Sequence, residues 1–286
     1  MKTRRLLIQA TAELELASGR FGRAGDEEDQ AWELLVHALG REPAGDEDLP
    51  APAQRRFQRL IRRRLTGEPV ELIQGWIMFG GVRMRVRPGV FIPRITSEFL
   101  AEQAIRRLRR RRRPVHVDVA AGIAPVAILS ARAVPHARVW ALDISRKALD
   151  QGRANARGLG LANISFRRSD LFSALPLKLK GAVDVVTMHP PYVARRDLSG
   201  LPEEIKDFEP RQTLSDGSAD GLGLAGRAII ESPGWLLPGG WLLIEIMPSE
   251  SRHIRTLMRR AGLTDIRSTH GDHRETRVIV CRKPRR

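Results

Sequence analysis

One stretch limits what this chain can fold into more than any other: Asp184-Val185-Val186-Thr187-Met188-His189-Pro190-Pro191-Tyr192. An apolar run of strand type meets two prolines and an aromatic residue. Proline lacks a backbone N–H and fixes φ, so the strand ends there and the chain turns. His189 and Tyr192 then stand at a strand's C-terminal end, where open α/β sheets hold their ligands. Read alone, the segment is equally well a strand followed by a plain Pro-Pro loop, and the residues upstream are needed to choose.

Upstream, Val115-His116-Val117-Asp118-Val119 reads as a short buried strand. Ala120-Ala121-Gly122-Ile123-Ala124 follows as a small-residue turn, and Pro125 suits the first position of a helix that runs to Ala133. Strand, turn and helix N-terminus together let a ligand approach the backbone closely. Arg138 to Leu142 is the next strand and ends at Asp143, 25 residues after Asp118. That is near the spacing of a carboxylate that binds ribose hydroxyls. Ser145 caps a helix to about Gly158. Asn163 to Arg167 is a third strand, followed by Ser169-Asp170-Leu171, where Asp170 can accept from an adenine amino group. Each of Asp118, Gly122, Asp143, Asp170 and His189 to Tyr192 follows a successive strand, so all fall on one edge of one sheet. The expected fold is an α/β, Rossmann-like sheet of seven mostly parallel strands.

The flanks divide the chain further. Residues 1–75 read as a small helical domain. Its first helix carries Leu6, Leu7, Leu14 and Leu16 and is broken by Gly19 and Gly22. Its second places Trp32, Leu35, Val36 and Leu39 on one face, and its third, Ala53 to Leu65, is strongly basic. Residues 76–98 are a connector, in which alternation around Gly80-Gly81 predicts a β-hairpin. Residues 99–286 hold the sheet, closed by a helix over Asp220 to Leu237, a Pro238-Gly239-Gly240 turn, and strands at Trp241 to Ile246, Leu263 to Thr269 and Thr276 to Arg282. His270 and His273 lie two apart in a polar turn with no acids or cysteines in pattern, so no metal site is expected.

Charge and cysteine content restrict partners and compartment. The net charge is +16, and of 49 basic residues only six are lysine. Such a surface suits an acidic partner, such as RNA, a ribosome or a nucleotide, or equally a solvated basic face. The single cysteine, Cys281, excludes an intrachain disulfide, a cysteine-based zinc site and a CxxC pair, and a reducing cytoplasm is consistent with it. Gln9, Glu13 and Glu15 interrupt the N-terminal apolar residues, so no signal peptide is expected. The arginine run 106–113 precedes an apolar segment, but His116, Asp118, Gly122, Pro125 and Arg132 interrupt that segment. No membrane span is expected there.

With these residues in view, the chain resembles the HemK/PrmC-type protein glutamine-amide methyltransferases, in their PrmC-related branch. The resemblance covers roughly Gly67 to the C-terminus. The family's Ile-Pro-Arg-Pro-x-Thr-Glu connector appears as Ile92-Pro93-Arg94-Ile95-Thr96-Ser97-Glu98. Its glycine-rich cofactor loop appears as Asp118-Val119-Ala120-Ala121-Gly122-Ile123-Ala124, and its Asn-Pro-Pro-Tyr as His189-Pro190-Pro191-Tyr192. Phe208-Glu209-Pro210-Arg211 and Asp220-Gly221-Leu222 also follow the branch. The resemblance implies S-adenosyl-L-methionine as cofactor, held by Asp118, Ala120, Gly122, Asp143, Ile144, Asp170 and Leu171. It implies catalysis by His189, Pro190 and Tyr192, with Arg94, Pro191 and Glu209 on the substrate side.

Four positions of the cofactor loop and the Pro-Pro motif depart from the family. Alanines replace glycines at 120 and 124, Ile123 replaces a small polar residue, and histidine replaces asparagine at 189. In the family pattern, the asparagine oxygen and the first proline's carbonyl accept the two N–H groups of a substrate amide. That fixes the nitrogen for attack by positioning and electrostatics alone. A neutral imidazole accepts one N–H, or acts as a base. The expected activity is methyl transfer to a side-chain nitrogen, with a release-factor-like protein amide, another peptide or a small molecule as substrate. One rival is a non-catalytic scaffold that kept the fold. Another is a nucleic-acid adenine-amino methyltransferase, which the connector and Glu209-Pro210 argue against.

Overall fold

A computed structural model describes residues 1–21, 25–272 and 274–285. Gly22, read as a helix breaker, and His273, paired with His270 above, lie outside the described residues. The chain divides into two compact units. The first is Met1–Ile77 with Val86–Gly89 and Asp197–Pro210; the second is Met78–Arg85, Val90–Arg196 and Arg211–Arg286.

The first unit is built on helices Thr3–Leu16, Glu27–Leu39 and Ala51–Leu65. Leu6, Ala10 and Leu14 face inward from the first helix, whereas Leu16 is 91 % exposed. The second helix buries Ala31, Leu34, Leu35 and Ala38, and leaves Trp32 exposed. This corrects the expected face. The spacing i, i+3, i+4, i+7 holds, but it starts at a small residue, because alanines at 31 and 38 let neighbouring helices approach closely. The basic third helix is not uniformly solvated either. Arg64 is buried, with its guanidinium over the Phe21 ring and hydrogen bonds to Gln30 Oε1, the Glu68 carbonyl and Glu204 Oε2. A short helix, Val70–Gln74, follows the third.

Strands β1 (Trp76–Phe79) and β2 (Val82–Arg85) form the expected hairpin, with Gly80 and Gly81 both at positive φ. In the second unit, strands β3 (Val115–Val119), β4 (Arg138–Asp143), β5 (Ile164–Arg168), β6 (Val183–Met188), β7 (Leu236–Ile246), β8 (Thr264–Thr269) and β9 (Arg277–Arg282) form one sheet. Its order is β5-β4-β3-β6-β7-β9-β8. The five strands β3 to β7 run parallel, and β9 is antiparallel to both β7 and β8. Every residue of β3 and β6 is buried, as expected of central parallel strands covered on both faces. The chain leaves β3 for β4 and β5, then returns to β6 on the other side of β3. The switch point therefore lies between β3 and β6, where such sheets bind ligands.

Two details differ from the sequence reading. Pro238-Gly239-Gly240 lies inside β7, not in a turn. There the register shifts against β6, and a Cβ on Gly240 would stand 2.8 Å from the Val183 carbonyl oxygen. The glycine admits a close backbone approach at a bulge. Arg195 to about Ser218, which the sequence suggests is a long loop, carries the short helices Glu203–Phe208 and Arg211–Leu214. Among the described residues, no helix is long and apolar enough to cross a membrane.

The packing of helix Arg146–Gly158 onto the turn after β3 gives two opposite expectations. A Cβ on Gly152 would meet the Ile123 carbonyl oxygen and Phe166 Cε1, each at 2.8 Å. Gly152→Ala, usually favourable in a helix, is expected here to cost about 1–3 kcal/mol. Ala124, in contrast, sits at φ 64, a conformation that suits glycine. Ala124→Gly is expected to stabilise the fold by about 1 kcal/mol. Urea midpoints of the two variants, compared with the parent, check both signs.

Candidate active site

The turn after β3 takes the shape that its sequence makes costly. Ala120, Gly122 and Ala124 all have positive φ, at 52, 58 and 64°. The bends are held by hydrogen bonds from Ala121 N to the Leu142 carbonyl and from Ala124 N to the Ala121 carbonyl. Ile123, which replaces a small polar residue, turns inward and is 1 % exposed, so its bulk does not fill the space above the turn. A Cβ on Gly122 would meet nothing within 4 Å, so open space adjoins the backbone there.

Asp143 closes this edge. Its carboxylate accepts from Gly122 N and from Ser145 N, both at 2.7 Å. Burial pushes its pKa up, opposed by the N–H groups of Ser145, Gly122 and Ile144. Beside it Ile144 is 60 % exposed, a flat apolar surface next to a carboxylate. An adenosyl group fits this set: open backbone at Gly122, spare acceptor capacity on Asp143 for ribose hydroxyls, and Ile144 for a base. Two other expected cofactor residues are engaged elsewhere. Asp118 is buried, accepts from the Thr187 hydroxyl at 2.6 Å, and is pushed up to about 7 by burial. Thr187 in turn lies 2.8 Å from His116 Nε2, so Asp118 ends a buried chain under the turn. Asp170 accepts from Arg227 at 2.8 Å, while Leu171 is buried at φ 46.

At the end of β6, His189 is largely enclosed, with 13 % of its side chain exposed. Its ring stacks on Tyr192, with centroids 5.5 Å apart and planes at 17°, and meets Phe91 edge-on at 5.6 Å. The Arg94 guanidinium lies 4.6 Å from the Phe91 ring centroid, so the connector residue does face this corner. His189 Nδ1 is 2.9 Å from Ser97 Oγ and 3.6 Å from Glu245 Oε2. Burial lowers the His189 pKa, opposed by Glu245 and reinforced by Arg94. Behind Pro190 and Pro191, the strand-like bridge Tyr192–Ser215 and the bond from Val193 N to the Leu214 carbonyl hold the corner. Gly221, at φ 75, is needed there, since a Cβ would stand 2.3 Å from the Tyr192 carbonyl oxygen. Glu209 belongs to the first unit and is 5 % exposed.

Sequence reasoning did not pick out Glu245, Ser97, Thr96 or Phe91 as site residues. Glu245 had a visible signal, because it is the one charge in a strand otherwise written Trp241-Leu242-Leu243-Ile244 and Ile246. It is fully buried, and its Oε1 accepts from Thr96 at 2.7 Å and Thr276 at 2.9 Å.

Two family models match the chain. Residues 6–75 match a PrmC N-terminal domain, and residues 117–208 a methyltransferase domain. The chain is 36 % identical over 245 residues to a release factor glutamine methyltransferase of Burkholderia pseudomallei, covering 82 % of this chain and 85 % of that one. It is also 36 % identical over 275 residues to the 4-amino-L-phenylalanine/4-methylamino-L-phenylalanine methyltransferase of Streptomyces pristinaespiralis, covering 92 % and 90 %. Among solved structures, the T. thermophilus 16S rRNA N2 G1207 methyltransferase aligns with a TM-score of 0.54 at 18 % identity, over 73 % of this chain and 49 % of that one. That likeness speaks to the fold alone. The chain belongs to the release factor glutamine methyltransferase family and is an S-adenosylmethionine-dependent methyltransferase.

Proposed function

We propose that this enzyme methylates the nitrogen of a planar amine on a small molecule or peptide, with His189 accepting the displaced proton. One observation carries the reading: His189 stands where the family has asparagine, with Nδ1 turned to Ser97 and Glu245. The side chain thus offers the substrate a ring nitrogen in place of an amide oxygen. An amide nitrogen needs both N–H groups held by oxygens, and one imidazole acceptor serves that poorly. An amine nitrogen already carries its lone pair, and needs alignment plus a base for its proton.

S-adenosylmethionine, when bound, supplies an electrophilic methyl group. This chain supplies the rest. Asp143, Gly122 and Ile144 would hold the adenosyl portion, with Ala120, Asp118, Leu171 and Asp170 shaping that edge. Tyr192, Phe91 and the His189 ring make an aromatic corner for a flat substrate group. Pro190 follows the end of β6, where its carbonyl would accept a substrate N–H, and Pro191 stiffens the turn. On methyl transfer to the substrate nitrogen, His189 would take up the N–H proton that the nitrogen loses.

The relative that methylates 4-amino-L-phenylalanine supports an aromatic amine as substrate. A release-factor glutamine is the second reading, favoured by the match of residues 6–75 to the PrmC N-terminal domain. Labelled-methyl assays separate the two. The expected result is turnover of 4-amino-L-phenylalanine about tenfold or more above that of a release factor. His189→Asn is expected to lower arylamine turnover by about 100-fold or more. Better turnover of the release factor by the parent enzyme would reverse the assignment. Activity should rise with pH to a plateau as His189 loses its proton. Because burial lowers its pKa from 6.5, the half-maximal point is expected below pH 6.5 in a kcat/KM profile. Asp143→Ala is expected to weaken S-adenosylmethionine binding about tenfold or more in calorimetric titration.

A further inference from the structure

Glu245 is a buried carboxyl with one oxygen fully served and the other not. Hydroxyls from two separate segments, Thr96 and Thr276, both donate to Oε1. They fix the carboxyl's orientation and direct Oε2 toward His189, where it lies 3.6 Å from Nδ1 and has no hydrogen-bond partner among the described residues. Leaving a buried acceptor unsatisfied is costly, so such an arrangement calls for a reason beyond packing. Ser97 Oγ approaches the same ring nitrogen at 2.9 Å.

We propose that Glu245 and Ser97 are positioning residues that hold the His189 proton on Nδ1 and so keep the Nε2 lone pair for the substrate nitrogen. The inference deepens the amine-methylation reading and rests on it. A bare Nδ1 lone pair facing a carboxylate oxygen at 3.6 Å is repelled, whereas an N–H dipole in the same place is attracted. Ser97 Oγ accepts that N–H directly. When Nε2 takes the substrate's proton, the positive ring is stabilised by the carboxylate behind it, as a buried acid does for a catalytic histidine elsewhere. The charged and titratable groups around the ring are Glu245, Arg94 and Tyr192, and of these Glu245 favours the positive ring. His116 has the reverse arrangement. With the Thr187 hydroxyl donating to an ionised Asp118, His116 Nε2–H donates to Thr187, and its Nδ1 has no hydrogen-bond partner among the described residues. The two histidines are therefore expected in opposite tautomers.

Long-range 1H–15N spectra of the full chain, labelled at histidine nitrogen, test this without substrate. The His189 signals are identified by their loss in His189→Gln. The expected spectrum has a protonated Nδ1 and a bare Nε2. In Glu245→Gln the titration midpoint of His189 should fall by about one pH unit or more, and the half-maximal pH of methyl transfer should fall with it. A structural role alone would lower the melting temperature and leave tautomer and midpoint unchanged. A parent spectrum with the proton on Nε2, or an unmoved midpoint in Glu245→Gln, overturns the proposal. Should Glu245→Gln fail to fold, the parent spectrum and Ser97→Ala decide, the latter expected to mix the tautomers. If no amine is methylated, the substrate reading fails while these spectra still judge the tautomer.

Discussion

The parallel pairing of β6 with its two neighbours is the constraint on which the site depends. On one side Met188 lies opposite Val119, so the turn after β3 and the Pro-Pro corner start from the same level of the sheet. On the other side Met188 lies opposite Ile244, which brings the next residues, His189 and Glu245, together. Register in a parallel sheet with both faces buried is strongly specified, because a slip of one residue would turn every side chain to the wrong face. The distance between the cofactor edge and the reacting corner is thus set by strand pairing, and loops only refine it.

The same edge shows how a family loop survives without its glycines. Ala120 and Ala124 adopt the left-handed conformation although each costs about 1–2 kcal/mol there. The surroundings over-determine the turn: Asp143 grips Gly122 N, the Leu142 carbonyl grips Ala121 N, and helix Arg146–Gly158 presses Gly152 against the Ile123 carbonyl. Strain of this kind persists where packing leaves no alternative. Gly122, the one glycine that remains, is the position next to open space.

Histidine, where the family pattern has asparagine, sits in this corner among Tyr192, Phe91 and the prolines. In the proposed reaction, the replacement changes the acceptor offered to the substrate and calls for groups that control a proton. Thr96 and Ser97 on one side and Thr276 on the other come from distant parts of the chain, yet all converge on Glu245 and His189. This convergence is hard to explain by packing, since apolar residues fill the rest of β7.

Much of the molecule was legible beforehand. Strand–turn–helix order, two prolines after an apolar run and acids at successive strand ends are local signals, and each reflects backbone chemistry that neighbours do not change. They were enough for the sheet, the cofactor and the family. Helix faces in the first unit were read less well, because alanines that permit close packing look neutral in a sequence while Trp32 and Leu16 look like core. Glycines in Pro238-Gly239-Gly240 signalled a turn but serve a bulge inside β7. Only the tertiary structure decided the partners of His189: Ser97 is 92 residues away and Glu245 lies on another strand. Local sequence determines where a strand must stop. Which side chains meet there depends on the pairing of strands far apart in the chain, and no local propensity encodes it.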